Sequence, residues 1–201
     1  MGRILMSDIV LQKHRLDSFY IVSQLPNHYT LKAPILNSID KFKQSSIHNI
    51  DNFYSDRITK FDWDNSKDLT REWTLLIYDT LNSYLSLTAK NMGYQSSVIH
   101  DIWFQQYYNM DTHGWHSHGN NFTAVYYLEL NELSPKTELI EPFSLNKKII
   151  PNVKEGNIII HPSYVLHRSP IIDNNIRKTI IACNLDFINP HPDILSKLNS
   201  L

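Results

Sequence analysis

Sulfur chemistry is almost missing from this chain. A single cysteine, Cys183, stands among 201 residues, so no internal disulfide can form. It sits in the apolar run 179–185 with no base beside it, which reads as a small buried hydrophobe and fits a reducing cytoplasm. Charge of either sign is also lacking in excess. The 19 basic and 20 acidic side chains leave a formal charge of −1, and Lys and Arg form no block or stripe. That excludes the electrostatic footprint of a nucleic-acid binder. No apolar run is long enough to span a bilayer, and the N-terminus has no cleavage-site pattern. Position 6 is Met rather than Ser or Thr, so the opening Met-Gly is not a myristoylation site. What is present is 42% hydrophobic and 11% aromatic side chains, enough for a sizeable core. The expectation is one cytoplasmic domain over 1–201, monomeric or homodimeric, with no nucleic-acid or membrane partner.

Periodicity divides the chain into two textures. Residues 1–17 carry no strong signal, and Phe19 to Val22 reads as a short strand closed by Pro26. A helix is expected from Ile35 to about Phe42, with Pro34 in its first turn, followed by loop over 44–62. The clearest helix spans Leu69 to Asn91, with Asp68 as N-cap and Gly93 ending it in a left-handed conformation. Its apolar residues Trp73, Leu76, Ile77, Leu81, Tyr84 and Leu85 recur at three- and four-residue spacing, which gives one stripe to pack on a sheet. Beyond Gly93 the spacing changes. Val98 to Tyr108 reads as a buried strand, and Phe122 to Leu130 alternates between two faces. Short strands are expected at 137–143, 147–153, 157–161, 164–167 and 178–187, and seven of the nine prolines lie from Pro135 onward. Many short strands with frequent turns argue for a mainly β fold of sandwich or jelly-roll type. A helical and mixed support over 1–95 then braces a β-core over 96–190.

The chemistry gathers at Asp111 to Phe122. Three of the ten histidines, His113, His116 and His118, fall within six residues there. Side chains at i and i+2 of an extended segment point the same way, so His116 and His118 can face one metal ion. His167, at the end of an apolar run that opens at Gly156 and is interrupted by Pro162, is the candidate third ligand. Three ligands on one face of an octahedral iron leave room for a bidentate co-substrate and dioxygen. Arg177 and Thr179 follow ten and twelve residues later and share a face by the same rule. A guanidinium fork with a hydroxyl beside it suits the far carboxylate of a dicarboxylate.

The block from Trp103 to Asn184 resembles the double-stranded β-helix core of the iron(II)- and 2-oxoglutarate-dependent dioxygenases. It is most similar to a small branch of such oxygenases common in phages. The resemblance rests on Gly114-Trp115-His116-Ser117-His118-Gly119, Ala124 to Leu128, Lys136-Thr137-Glu138, Glu155-Gly156-Asn157 through Pro162-Ser163, His167-Arg168-Ser169-Pro170, and Arg177-Lys178-Thr179 through Asn184. It implies Fe(II), 2-oxoglutarate and dioxygen, with His116 and His167 as iron ligands and Arg177, assisted by Thr179, anchoring 2-oxoglutarate. Tyr107 or Tyr108 would reach the co-substrate, and Asn184 would lie in or near the site. The usual superfamily motif is His-x-Asp, and position 118 holds His. Ligation by His118, its displacement, or a contribution from His113 or Asp111 are the three readings of that departure. The implied reaction is hydroxylation of a small-molecule or peptidyl substrate. Two alternatives stand beside it: a cupin-like metalloenzyme that does not use 2-oxoglutarate, and a non-catalytic metal-binding β-barrel. His161 is expected to be structural, and His14, His28, His48, His100 and His191 to face solvent.

Overall fold

The computed structural model describes residues 17–43 and 56–198. Two antiparallel sheets face each other. Six strands form the larger: β1 (Ile21–Gln24), β2 (Lys60–Phe61), β3 (Tyr94–Tyr107), β5 (Phe122–Glu129), β8 (Asn157–Pro162) and β10 (Lys178–Pro190), in the spatial order β1-β8-β5-β10-β3-β2. The smaller holds β4 (His113–His116), β6 (Glu138–Ile140), β7 (Lys148–Ile149) and β9 (His167–Ser169), ordered β4-β9-β6-β7. This is the jelly-roll arrangement expected from the short-strand pattern. The N-terminal half is more than a support, because β1 and β2 add strands at the two edges of the larger sheet.

The larger sheet is buried on both faces, which explains why β5 has no solvent side despite its alternating sequence. On the outer face, Phe122, Ala124, Tyr126 and Leu128 pack with Ile77, Leu81 and Leu85 of α2 (Glu72–Asn91) and with Ile35 and Ile39 of α1 (His28–Lys41). On the inner face, Val125 and Tyr127 pack with Trp103, Tyr107, Ile159, Ile180 and Ala182 between the sheets. Such two-sided burial is the main apolar contribution to the fold, at ~25 cal/mol per Å² removed from water. The central strand β10 sets the register. Its Ala182 lies opposite both Trp103 of β3 and Val125 of β5.

Two helix starts differ from the sequence expectation. The α2 helix begins at Glu72, because the Asp68 carboxylate instead accepts from the Thr70 backbone N–H and hydroxyl in a turn before it. The α1 helix begins at His28, behind a left-handed Asn27, and carries Pro34 in its interior. Gly93 ends α2 at φ 88°, in the left-handed region, as expected. Gly156 has φ 84°, and a Cβ there would lie 2.3 Å from Gln24 Nε2 and 2.8 Å from the His28 ring. His28 is therefore buried rather than solvent-facing, with Nδ1 2.7 Å from the Tyr126 hydroxyl. His14 and His48 lie outside the described residues. A short third helix, α3 (Pro192–Leu198), follows β10. Among the described residues no helix is long and apolar enough to cross a membrane.

Candidate metal centre

Strand pairing brings the first two histidines together. His116 of β4 lies directly opposite His167 of β9. Side chains opposed in this way stand close enough to touch, and the two ring centroids are 4.2 Å apart. His118 follows β4, and its backbone N–H donates to the Ser163 carbonyl at 3.0 Å, which turns the chain back over the pair. Its Nε2 comes within 3.3 Å of His167 Nε2. The ligand atoms of His116, His118 and His167 all lie within 4.8 Å of one another.

The far side of two rings is tied to main chain. His116 Nδ1 lies 2.8 Å from the Gly114 carbonyl, and His167 Nδ1 lies 3.0 Å from the Val165 carbonyl. A carbonyl can only accept, so each Nδ1 carries the proton and each Nε2 presents a lone pair. Burial pushes all three imidazoles below the usual histidine range, His118 to about 4. They are neutral at ordinary pH, so no proton competes with a metal. The donor set and its geometry suit a mononuclear metal ion.

The other candidates in this stretch have different occupations. His113 stacks on His116 at a centroid distance of 3.8 Å, with its own nitrogens near Gln105 Nε2 (3.3 Å) and Asp56 Oδ2 (3.7 Å). Asp111 is fully buried, and its Oδ2 accepts from the backbone N–H groups of Thr59 and Tyr108, both at 2.9 Å. Its role is to tie the β3–β4 turn to the segment before β2. His161 is buried with its ring 4.6 Å from that of His167, while its Nε2 has no hydrogen-bond partner among the described residues. Trp115 packs under the Arg168 guanidinium, 4.6 Å from the ring centre, and Arg168 Nε donates to Glu138 at 2.7 Å.

Arg177 and Thr179 do not reach the histidines, which corrects their expected placement. They share a face, as the two-residue rule requires, but it is the face turned towards α1. Arg177 donates through Nε and Nη2 to Glu129 at 2.7 and 3.1 Å and through Nη1 to Asp40 at 3.0 Å. Its guanidinium is therefore engaged on all sides, and the Glu129 hydrogen bond holds its pKa above the ordinary arginine value. The Thr179 hydroxyl donates to Glu129 at 3.0 Å and accepts from Gln106 at 3.2 Å. Tyr108 belongs to the same outer cluster, with its hydroxyl donating to Gln106 at 2.9 Å.

Successive residues of a strand face opposite sides, so the cation between those two points inward. Lys178 is 1% exposed. Its Nζ donates to Ser169 Oγ at 2.6 Å and to the Pro135 carbonyl at 3.1 Å, and lies 4.7 Å from the centre of the Tyr107 ring. Among the described residues no carboxylate pairs with it. Burial alone brings its amine down to about 7. Tyr107, which the sequence pointed to, shares this inner end and donates to Gln105 at 2.7 Å. A narrow space of about 20 Å³ beside the three histidines is lined also by Tyr107, Thr137 and Ser169, and of these Ser169 and Tyr107 touch the Lys178 amine as well. The sequence reading missed Lys178 because lysine is rarely buried. Its one signal was its place between two outward-facing residues.

On the other side of the triad an open mouth of about 350 Å³ leads to solvent. Trp63, Trp103, Ser66, Asp101 and Asn184 line it together with His113, His116 and His118. Asn184 thus shares a wall with the histidines and is paired across β10 and β3 with Asp101.

No protein-family model and no curated protein matches this chain. Solved structures do. AviO1 from Streptomyces viridochromogenes Tue57 superposes with a TM-score of 0.64 at 12% identity, covering 87% of this chain and 93% of that one. The viral collagen prolyl hydroxylase vCPH from Paramecium Bursaria Chlorella virus-1, in its 2OG complex, gives 0.56 at 16% identity, over 83% and 94%. The non-heme alpha ketoglutarate dependent epimerase SnoN from nogalamycin biosynthesis gives 0.64 at 8% identity, over 84% and 76%. This chain shares its jelly-roll fold with these three proteins.

Proposed function

We propose that this protein is an Fe(II)- and 2-oxoglutarate-dependent oxygenase in which His116, His118 and His167 hold the metal. The observation that carries the reading is the combination of three converging neutral imidazoles with a nearby buried amine that has no anionic partner among the described residues. An isolated buried ammonium is costly unless a counter-charge offsets it. The far carboxylate of a dicarboxylic keto acid is such a counter-charge. Lys178 receives it as a point cation, with the Ser169 hydroxyl adjacent. Tyr107 and Thr137 wall the same end. The resemblance assigned that role to Arg177 and Thr179, whose hydrogen bonds are taken by Glu129 and Asp40.

When bound, iron with 2-oxoglutarate and dioxygen supplies oxidative decarboxylation of the keto acid to succinate and oxidation of a substrate C–H bond. The chain's part is to bind, orient and exclude water. Gly114 and Val165 carbonyls fix the ring planes of His116 and His167. Val125, Ile180 and Ala182 keep the inner space apolar between its two polar ends. A neutral His118 in place of a carboxylate leaves the centre one unit more positive, which favours the dianionic co-substrate. Hydroxylation is the outcome we propose for the unidentified substrate.

An anaerobic titration with Fe(II) and 2-oxoglutarate tests this. A visible charge-transfer band that requires both components, and that is lost in His167→Ala, is the expected result. Absence of the band in folded protein sinks the reading. The narrowness of the inner space, about 20 Å³, favours one rival, a three-histidine metalloenzyme working without the keto acid. That rival predicts metal binding with no response to 2-oxoglutarate.

A further inference from the structure

The open mouth beside the triad is chemically lopsided. Its one fixed charge is Asp101, and among the described residues no Lys or Arg lines it. The two bonds that the Asp101 carboxylate accepts are long, 3.2 Å from the Ser66 hydroxyl to Oδ1 and 3.3 Å from the Asn184 amide to Oδ2. A carboxylate has about four acceptor sites, so half of its capacity is open. Because a carboxylate can only accept, the Asn184 amide nitrogen is the atom turned towards it, which turns Asn184 Oδ1 the other way. That oxygen is buried and among the described residues has no hydrogen-bond partner. Both polar groups can therefore take a further donor. Among the described residues the indole N–H of Trp103, in the same wall, is buried without a hydrogen-bond partner. The aromatic lining favours the same kind of ligand: Trp63, its ring tilted against Phe61 at 4.5 Å and against His113 at 5.3 Å, forms a side of the mouth, and aromatic ring faces attract cations.

We propose that this mouth selects a substrate bearing a protonated amine or guanidinium, received by Asp101 and Asn184 Oδ1 between the Trp63 and Trp103 rings. A neutral or anionic substrate seated there would strip water from Asp101 with nothing in return. A cation supplies both the charge and the donors. The Trp103 N–H is left for an acceptor on the same molecule, such as the carbonyl of an amino-acid derivative. The assignment rests on the triad being the reaction centre, since it is the triad that makes the mouth a substrate site.

Calorimetric titration of the Fe(II)- and 2-oxoglutarate-loaded protein, without oxygen, with pentylamine, pentanol and pentanoate is the direct test. The amine is expected to bind at least about tenfold more tightly than either length-matched partner, a preference of about 1.4 kcal/mol. Asp101→Asn should erase that preference. Equal binding of the three, or preference for pentanoate, overturns the proposal, and so does an Asp101→Asn protein that keeps the preference. If the variant does not fold, the wild-type comparison decides alone. Agmatine and an acetylated, amidated Gly-Lys-Gly peptide distinguish a free small molecule from a basic side chain in a polypeptide, and binding of either supports the cation site. A charge-transfer band without amine selectivity refutes this inference and leaves the oxygenase reading standing. Amine selectivity without the band does the reverse.

Discussion

Replacing Lys178 by methionine should make the co-substrate-free protein more stable while removing its hold on 2-oxoglutarate. The amine is buried, sits at about 7, and titrates at 10.5 in an unfolded chain. Between those two values the unfolded state binds more protons than the folded one, so the stability of the wild type rises with pH across the window from 7 to 10.5. Each pH unit of difference is worth ~1.4 kcal/mol, so the full penalty below pH 7 is roughly 5 kcal/mol. Methionine fills the same length without the charge. It leaves Ser169 Oγ and the Pro135 carbonyl without their donor, at a cost of about 1 kcal/mol each. The net expectation at pH 6 is a gain of roughly 1–3 kcal/mol. Urea unfolding of metal-free wild type and Lys178→Met at pH 6 and pH 9 reads this, because every other titrating group is common to both and cancels in the difference. The advantage of the variant should shrink towards pH 9. Its affinity for 2-oxoglutarate, measured with Fe(II) present, should fall by about 100-fold, as expected for a buried charge pair worth a few kcal/mol. Iron alone should still bind. A variant less stable than wild type at both pH values, with unchanged 2-oxoglutarate affinity, would refute the reasoning by placing the ammonium in water and away from the co-substrate.

Arg177→Met should leave 2-oxoglutarate affinity within about twofold while costing about 1–3 kcal/mol, because Glu129 and Asp40 lose their partner; a large rise in the 2-oxoglutarate dissociation constant would return the anchor role to Arg177. His118→Ala should weaken iron binding by about 100-fold or more, whereas His118→Asp should retain it; metal analysis after gel filtration separates the two, and an unaffected His118→Ala would remove His118 from the ligand set. Gly156→Ala should destabilise by about 1–3 kcal/mol, since its φ is 84° and a Cβ meets Gln24 and the His28 ring. Thermal unfolding of that variant within about half a kcal/mol of wild type would show that the turn relaxes freely.

Much of this layout could be read from residue order, and the misses share a cause. The long helix, the strands beyond Gly93 and the histidine constellation carry strong local signals: a 3.6-residue stripe, turn residues and His-x-His. Strand parity was the hard part. Ile180 to Cys183 is apolar on both sides because β10 runs through the middle of a sheet covered on both faces. Alternation there cannot tell inside from outside. Arg177 and Thr179 share a face, but only the folded strands reveal that Lys178 turns the other way, towards Ser169 and Tyr107. The start of α1 was hidden for a different reason. A left-handed Asn27 and an interior Pro34 are both weak helix signals, and the burial of His28 depends on Tyr126, nearly a hundred residues away.

The unequal size of the two sheets has a consequence for motion. All three imidazoles belong to the smaller sheet or the loop leaving it, whose strands run from 2 to 4 residues, whereas β3 and β10 run to 14 and 13. So few ladder bonds hold the smaller sheet that it is the part to open first by local fluctuation. An ion bridging His116, His118 and His167 closes that opening from within, as a pin through a hinge. Amide exchange in β4 and β9 should therefore slow on metal binding while β3 and β10 exchange as before, so that the candidate site would acquire its rigidity with an ion.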